Sequence, residues 1–231
     1  MKRILTLVAA GMMWAGAATA QTQSTNFTFS TGATIPDNEP SGLALAYSLS
    51  GIVGTISDVT VSLSISGGYN GDLYAYLAGP NGGFTVLLNR VGVGTGAGQS
   101  TYGYADTGFN VTLDDTALNN IQYYQSASPA PTITGGVLQG TWQPDGVNID
   151  PQSAPSAFTA GSPSTPLSSF IGTDPNGTWT LFLADLAAGN ESVVGPITVD
   201  VTTVPEPQTF ALAACGGLAI LLLRNLRRSN S

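Results

Sequence analysis

Residues 58 to 66 read Asp58-Val-Thr-Val-Ser-Leu-Ser-Ile-Ser66. Apolar and small polar side chains alternate over the whole stretch, which places Val59, Val61, Leu63 and Ile65 on one face. A period of two is typical of a strand, because successive side chains point to opposite faces of a sheet. The stretch therefore predicts an antiparallel strand that is buried on one face and solvated on the other.

Similar segments flank this strand and are separated by turns rich in glycine, proline and asparagine. We predict further strands at 72–78, 84–88, 178–184 and 196–201. Residues 91–103 and 126–169 are rich in small and turn-forming residues and are expected to be long loops of the same domain. No long stretch between 21 and 204 has helical spacing, so the expected fold is an all-β antiparallel sandwich in one domain, 21–204.

The composition excludes several classes of function. The chain of 231 residues has no histidine and one cysteine, which excludes Ser-His-Asp or Cys-His catalysis and an internal disulfide. Between 21 and 204, Arg90 is the only cation against thirteen carboxylates, which gives a formal charge of −12. Such a surface repels phosphates, so no nucleic-acid partner is expected, and it suits an exported protein or one that attracts a divalent cation.

The first twenty residues predict a secretory signal peptide. Lys2 and Arg3 precede a short apolar run, and Ala18-Thr19-Ala20 matches the small-x-small site of signal peptidase through Ala18 and Ala20. The exported chain is then expected to begin at Gln21.

The last segment, 205–231, combines three features. Pro205-Glu206-Pro207 precedes an apolar run from 210 to 223, and the cluster Arg224, Arg227 and Arg228 follows it. The run predicts a short transmembrane helix, which the arginines orient by the positive-inside rule. The order resembles the PEP-CTERM sorting tail of Gram-negative bacteria. That resemblance implies recognition by an exosortase in the inner membrane, transient anchoring there, and cleavage. A permanent anchor is the alternative.

The body resembles the P domain of proprotein convertases, also called P/Homo B, from Ile35 to Val201. The residues that carry the resemblance are Ile35-Pro36-Asp37-Asn38-Glu39-Pro40, Gly71-Asp72-Leu73, and Asp174-Pro175-Asn176-Gly177-Thr178-Trp179-Thr180-Leu181 followed by Asp185. It implies a jelly-roll-like sandwich. The chain has neither the length nor the histidine for the protease domain that accompanies this module, so proteolytic activity is not implied.

Aspartates are the candidates for a reactive or metal site. Asp58, Asp72 and Asp174 lie at strand starts or in turns, where a carboxylate can cap backbone N–H groups, and this structural role is favoured for each. The alternative is calcium, which accepts carboxylate and carbonyl oxygens, with Asp72 and Asp185 converging at one end of the sandwich. Adjacent Asp114 and Asp115 are expected in a separate solvated turn. We identify no catalytic residue and no other cofactor.

The aromatic residues suggest a core and a surface. Trp179 alternates with Leu181 and Leu183, which predicts burial, whereas Trp142 and the pair Tyr123-Tyr124 are the better candidates for a sugar or partner surface.

Together these features predict an exported, non-enzymatic protein of the cell surface or extracellular matrix. Its sandwich would serve as a binding or structural module associated with exopolysaccharide or with another envelope protein. One alternative is an accessory module of a secreted serine-type peptidase. A second is a carboxylate-dependent hydrolase.

Overall fold

The computed structural model describes residues 21–158 and 163–205. The predicted signal peptide, Glu206, Pro207 and the rest of the predicted sorting tail lie outside these residues. Within the described part the chain forms eleven strands in two sheets. The helical segments there are short 3₁₀ turns, and none of them is long and apolar enough to cross a membrane. The predicted all-β sandwich is therefore confirmed.

The larger sheet has seven strands and is built around the stretch 58–66. Its strands follow the order β1-β11-β4-β7-β9-β8, with β2 also paired to β11. Their bounds are β1 Gln23–Phe29, β2 Thr34–Ile35, β4 Thr55–Gly67, β7 Gly108–Leu113, β8 Ile133–Thr134, β9 Val137–Trp142 and β11 Ser192–Val204. β4 is central because it pairs with β11 on one side and β7 on the other.

The smaller sheet has four strands in the order β3-β10-β5-β6, with bounds β3 Leu43–Leu49, β5 Leu73–Ala78, β6 Phe84–Asn89 and β10 Gly177–Asp185. All its pairs are antiparallel, including Asp185 opposite Leu73 and Leu181 opposite both Leu45 and Leu77. This register brings the end of β10 beside the start of β5, where the candidate site lies.

The core lies between the two sheets. The apolar faces of β4 and β11 pack towards those of β5 and β10, as the alternation of residues 58 to 66 predicts. Trp179 is 0% exposed, which confirms its predicted burial, and its indole N–H donates to the carbonyl of Pro175 at 2.9 Å. Its ring contacts Phe170 and Phe27, with centroids 5.0 and 5.5 Å away.

The prediction that residues 126–169 form a loop is wrong for residues 137–142. These residues form β9, which pairs in parallel with β7 and places Leu138 opposite Phe109 and Trp142 opposite Leu113. Gly140 lies within β9 with a φ of 103°, a backbone conformation that glycine adopts readily and other residues rarely do. The run 137–142 is short and is interrupted by this glycine, so its own periodicity does not reveal a strand.

Candidate functional site

The candidate site lies at the end of the sandwich where β4 gives way to β5. After β4 the chain turns through Gly68 and the short 3₁₀ segment Asn70–Asp72. A Cβ at Gly71 would collide with the carbonyl oxygen of Tyr102, so glycine is required for the close approach of the two loops. This approach brings Tyr69 of one loop beside Tyr102 of the other, in the wall of the same pocket.

The side chain of Asn70 holds this turn in place through hydrogen bonds. It is fully buried, and its amide group exchanges two hydrogen bonds with Gly108: the side-chain nitrogen donates at 3.1 Å and the side-chain oxygen accepts at 2.7 Å. The same nitrogen donates to the hydroxyl of Tyr124 at 3.2 Å, and that hydroxyl donates to Asp106 at 2.7 Å. These bonds tie the turn to β7, so the residues on either side of Asn70 are held in place.

Above the turn is a pocket of about 360 Å³. We call it the tyrosine pocket. Its principal lining residues are Tyr69, Asp72, Tyr102, Tyr104, Ala187 and Ala188. Tyr102 is 78% exposed and Tyr69 is 39% exposed, whereas Tyr104 is buried. The pocket thus combines exposed aromatic rings and small apolar side chains with a single carboxylate, that of Asp72.

Asp72 is the polar group of the pocket. Burial raises the pKa of its carboxyl, Arg90 opposes this rise, and Asp37 adds to it. Within the described residues its carboxylate accepts no hydrogen bond, although its backbone carbonyl accepts one from Leu186 N–H at 2.9 Å. The carboxylate is therefore available to a ligand that donates hydrogen bonds.

Asp185 lies behind Asp72 and is 0% exposed. One of its oxygens accepts a hydrogen bond from Ala187 N–H at 3.3 Å. The other oxygen is buried together with the hydroxyl of Ser192, and the interaction with this hydroxyl opposes the rise in the pKa of Asp185 that burial causes. Burial raises the pKa of Asp185 to about 6, and the charges of Asp72 and Asp37 contribute to the rise.

Two further charged residues complete the cluster. Arg90 donates from Nε to the carbonyl of Gly71 at 3.3 Å, and burial lowers the pKa of its guanidinium while Asp72 and Asp185 oppose that change. Asp37 accepts a hydrogen bond from Gly189 N–H. The cluster therefore contains three aspartates and one arginine, and its negative charge favours a positively charged ligand.

The structure brings Asp72 and Asp185 together, as the calcium alternative requires. Within residues 21–158 and 163–205, however, no group of three or more acidic or cysteine side chains is arranged to hold a metal ion. Calcium takes six to eight oxygen ligands, and here a guanidinium also shares the space. The residues present do not fit the ion well, and calcium binding stays a prediction.

The other predicted aspartates serve as structural caps. Asp114 accepts hydrogen bonds from the backbone N–H and the hydroxyl of Thr116. Asp115 accepts from the N–H groups of Leu167 and Ser168 at 3.0 and 2.8 Å, and so caps a 3₁₀ turn. Asp174 accepts from Asn176 N–H at 2.9 Å, as the turn role predicts.

The predicted aromatic surface is wrong for two of its three residues. Tyr124 is 0% exposed, Trp142 is 6% exposed, and their rings meet edge to face in the core. The exposed rings, Tyr69 and Tyr102, were missed. A clue in the sequence is that both lie in glycine-rich turns rather than in an alternating run.

A second concave surface lies on the outer face of the seven-stranded sheet. One row across five strands carries only hydroxyl side chains, in the order Thr28, Thr198, Ser62, Thr112 and Thr141. The depression there has a volume of about 410 Å³ and no aromatic or charged lining residue. It therefore lacks the stacking surface that the tyrosine pocket offers.

No family model and no curated protein matches this chain. Two solved structures of an Aeromonas sobria serine protease are similar, each at 15% identity. The complex of that protease with its chaperone ORF2 has a TM-score of 0.40 and covers 80% of this chain. The protease without the chaperone has a TM-score of 0.39 and covers 79%. This chain spans only 26% of the length of either matched chain.

Proposed function

We propose that this protein is an exported, non-catalytic carbohydrate-binding module of the cell surface or extracellular matrix, which binds exopolysaccharide at the tyrosine pocket. The observation that carries the proposal is the pairing of two exposed tyrosine rings with Asp72, which is 6% exposed and lines the same pocket. Aromatic rings pack against the apolar C–H faces of sugars, and a carboxylate accepts strong hydrogen bonds from sugar hydroxyls.

The negative charge of residues 21 to 204 restricts the kinds of polysaccharide that the protein would bind. Arg90 is the only cation between 21 and 204, against thirteen carboxylates. A glycan rich in uronate, sulfate or phosphate would be repelled by this surface. The ligand is therefore a neutral or positively charged polysaccharide.

The pocket supports binding rather than hydrolysis. Glycoside hydrolases place two carboxyl groups on either side of the bond they break. Here Asp72 is the carboxylate that lines the pocket, while Asp185 is buried behind it. A sugar in the pocket would thus meet one carboxylate and no partner acid across the ring.

Export and sorting rest on the two ends of the chain. The Ala18-Thr19-Ala20 site and the Pro205-Glu206-Pro207 tail support delivery across the inner membrane by signal peptidase and an exosortase. The protein is then transiently anchored in that membrane before it reaches the surface. A binding module at this location would meet exopolysaccharide as it leaves the cell.

The test is affinity electrophoresis of the full chain through gels that contain exopolysaccharide recovered from the producing cells. We expect retention of the protein, and Tyr102→Ala should weaken it about three- to tenfold because a stacking surface is lost. Tyr102→Phe keeps the ring and should retain binding. Leu118→Ala is a matched control, because Leu118 is 76% exposed and follows the opposite end of β7.

Other results would support the alternatives. If polysaccharide does not retain the protein but a secreted peptidase co-purifies with it, the accessory-module hypothesis is supported. If incubation with the polysaccharide releases new reducing ends, the protein is a hydrolase. If the Tyr102→Ala variant and the unmodified protein are retained equally, the polysaccharide binds outside the tyrosine pocket.

A further inference from the structure

We infer that the tyrosine pocket prefers amino sugars with a free ammonium group over neutral or N-acetylated sugars. This inference rests on the proposed carbohydrate-binding function and names the sugar class for the same site. The geometry behind it is the position of Asp72 in the pocket wall, with the carboxylates of the buried Asp185 and of Asp37 near enough to act on one another.

The carboxylate of Asp72 lacks a protein donor. Within the described residues it accepts no hydrogen bond, and burial makes its charged form costly without one. An ammonium group donates up to three hydrogen bonds and carries the opposite charge, so it satisfies this carboxylate better than a hydroxyl does. An N-acetyl group presents one N–H and no charge, and it adds bulk.

The buried carboxylate of Asp185 is a second source of negative charge near the pocket. This side chain is fully enclosed, where one oxygen accepts a hydrogen bond from Ala187 N–H and the Ser192 hydroxyl lies beside it. Above a pH of about 6 it is ionised and adds a second negative charge behind Asp72. Because buried charges are screened less than exposed ones, a cation in the pocket experiences both carboxylates.

Arg90 offsets only part of the negative charge, because it is one cation among the carboxylates of Asp72, Asp185 and Asp37. Its Nε is engaged by the carbonyl of Gly71, and it is not among the residues that line the pocket. The tyrosine rings add to the attraction, because a cation near the face of an aromatic ring is stabilised by the ring electrons. An amino sugar can therefore stack on a tyrosine while its ammonium group meets Asp72.

The experiment measures two probes against the full chain by isothermal titration calorimetry at about pH 6.5, because the neighbouring oxygens of a sugar lower the pKa of its amine below that of an ordinary α-amino group. The probes are the glucosamine hexamer and the N-acetylglucosamine hexamer. We expect the glucosamine hexamer to bind about five- to tenfold more tightly, the difference between a charge-assisted and a neutral hydrogen bond. Added sodium chloride should weaken binding of the glucosamine hexamer much more than binding of the acetylated one.

Two isosteric variants test whether the preference for the ammonium group depends on Asp72. Asp72→Asn keeps the shape of the side chain and removes its charge, so it should bring the ratio of the two affinities close to one. Asp58→Asn is the matched control, because Asp58 is exposed on β4 about 30 Å from its pocket end, nine residues along an extended strand. It should leave the ratio unchanged. If Asp72→Asn fails to fold, the salt dependence of the unmodified protein still tests the inference.

The outcomes separate this inference from the proposed function. Equal affinity for both hexamers, lost in Tyr102→Ala, would overturn the ammonium preference and leave carbohydrate binding intact. Binding of neither hexamer, together with no retention by the native exopolysaccharide, would overturn both. An equal fall of the ratio in Asp72→Asn and Asp58→Asn would show attraction by overall charge and refute the assignment to the pocket.

Discussion

The side chain of Asp145 provides a sharp test of the electrostatics of this fold. Asp145 is 2% exposed and follows β9, where the chain passes beside β6. Its backbone N–H donates to the carbonyl of Leu87 at 3.2 Å, and one carboxyl oxygen accepts from Val147 N–H at 2.9 Å. Burial raises the pKa of this carboxyl from 3.8 to about 7, although the hydrogen bond from Val147 opposes the rise.

The raised pKa makes the stability of the protein depend on pH. Between about pH 4 and pH 7 the folded state binds a proton at Asp145 that the unfolded state releases, so stability falls as pH rises through this range. The difference between 3.8 and about 7 corresponds to roughly 4 kcal/mol. This contribution to stability is therefore complete below about pH 4, and it is lost by the time the pH has risen above about 7.

Replacement of Asp145 by Asn removes the titration and keeps the hydrogen bond from Val147. At pH 8 we expect Asp145→Asn to raise the free energy of unfolding by up to about 4 kcal/mol, and at pH 4 to change it by less than about 1 kcal/mol. Urea denaturation followed by tryptophan fluorescence at pH 4, 6 and 8 measures the difference. Asp150→Asn, at an exposed carboxylate five residues away, is the control. A difference between variant and unmodified protein that does not change with pH would refute the reasoning.

Three further predictions address the core, the pocket and the ends of the chain. Trp179→Ala should lower the free energy of unfolding by about 3–5 kcal/mol in urea denaturation, since the ring is fully enclosed, and a change near zero would contradict this. Gly71→Ala should cost about 1–3 kcal/mol and weaken polysaccharide retention, because its Cβ would collide with Tyr102; an unchanged melting temperature would be evidence against that contact. Mass spectrometry of the exported protein should find Gln21 first and Pro207 near the new C-terminus, whereas a species that keeps Arg228 would indicate a permanent anchor.

Local patterns predicted β4, β5, β6, β10 and β11, whereas β1, β3 and β7 were not predicted. The predicted strand 58–66 lies within β4, and the predicted strand 196–201 lies within β11, which pairs with it. A strand buried on one face must alternate to keep its polar side chains in water, so its pattern is visible in the sequence. β9 had no such signature, because it is short, contains Gly140 and pairs in parallel with a strand far away in sequence.

Of the candidate site, only the carboxylates of Asp72 and Asp185 were predicted from the sequence. Asp72 and Asp185 belong to segments that were expected to converge, and the pairing of Asp185 with Leu73 brings them together. Which aromatic rings are exposed did not follow from the sequence. Tyr124 lies in a short 3₁₀ segment and Tyr102 in a turn, yet the first is enclosed beside Trp142 and the second is 78% exposed. The difference depends on how the loops pack, which no local pattern encodes.

The sequence alone thus specifies the β-sandwich, the buried face of β4, the burial of Trp179 and the acidic charge of the body, because each depends on composition or on neighbours along the chain. The tyrosine pocket depends on distant segments. Its walls come from the turn after β4, the loop before β7 and the turn after β10, and Gly71 allows the first two to touch. Contacts between residues far apart in sequence require the chain to fold before they exist, so the pocket and the position of Asp72 in its wall became visible only in three dimensions.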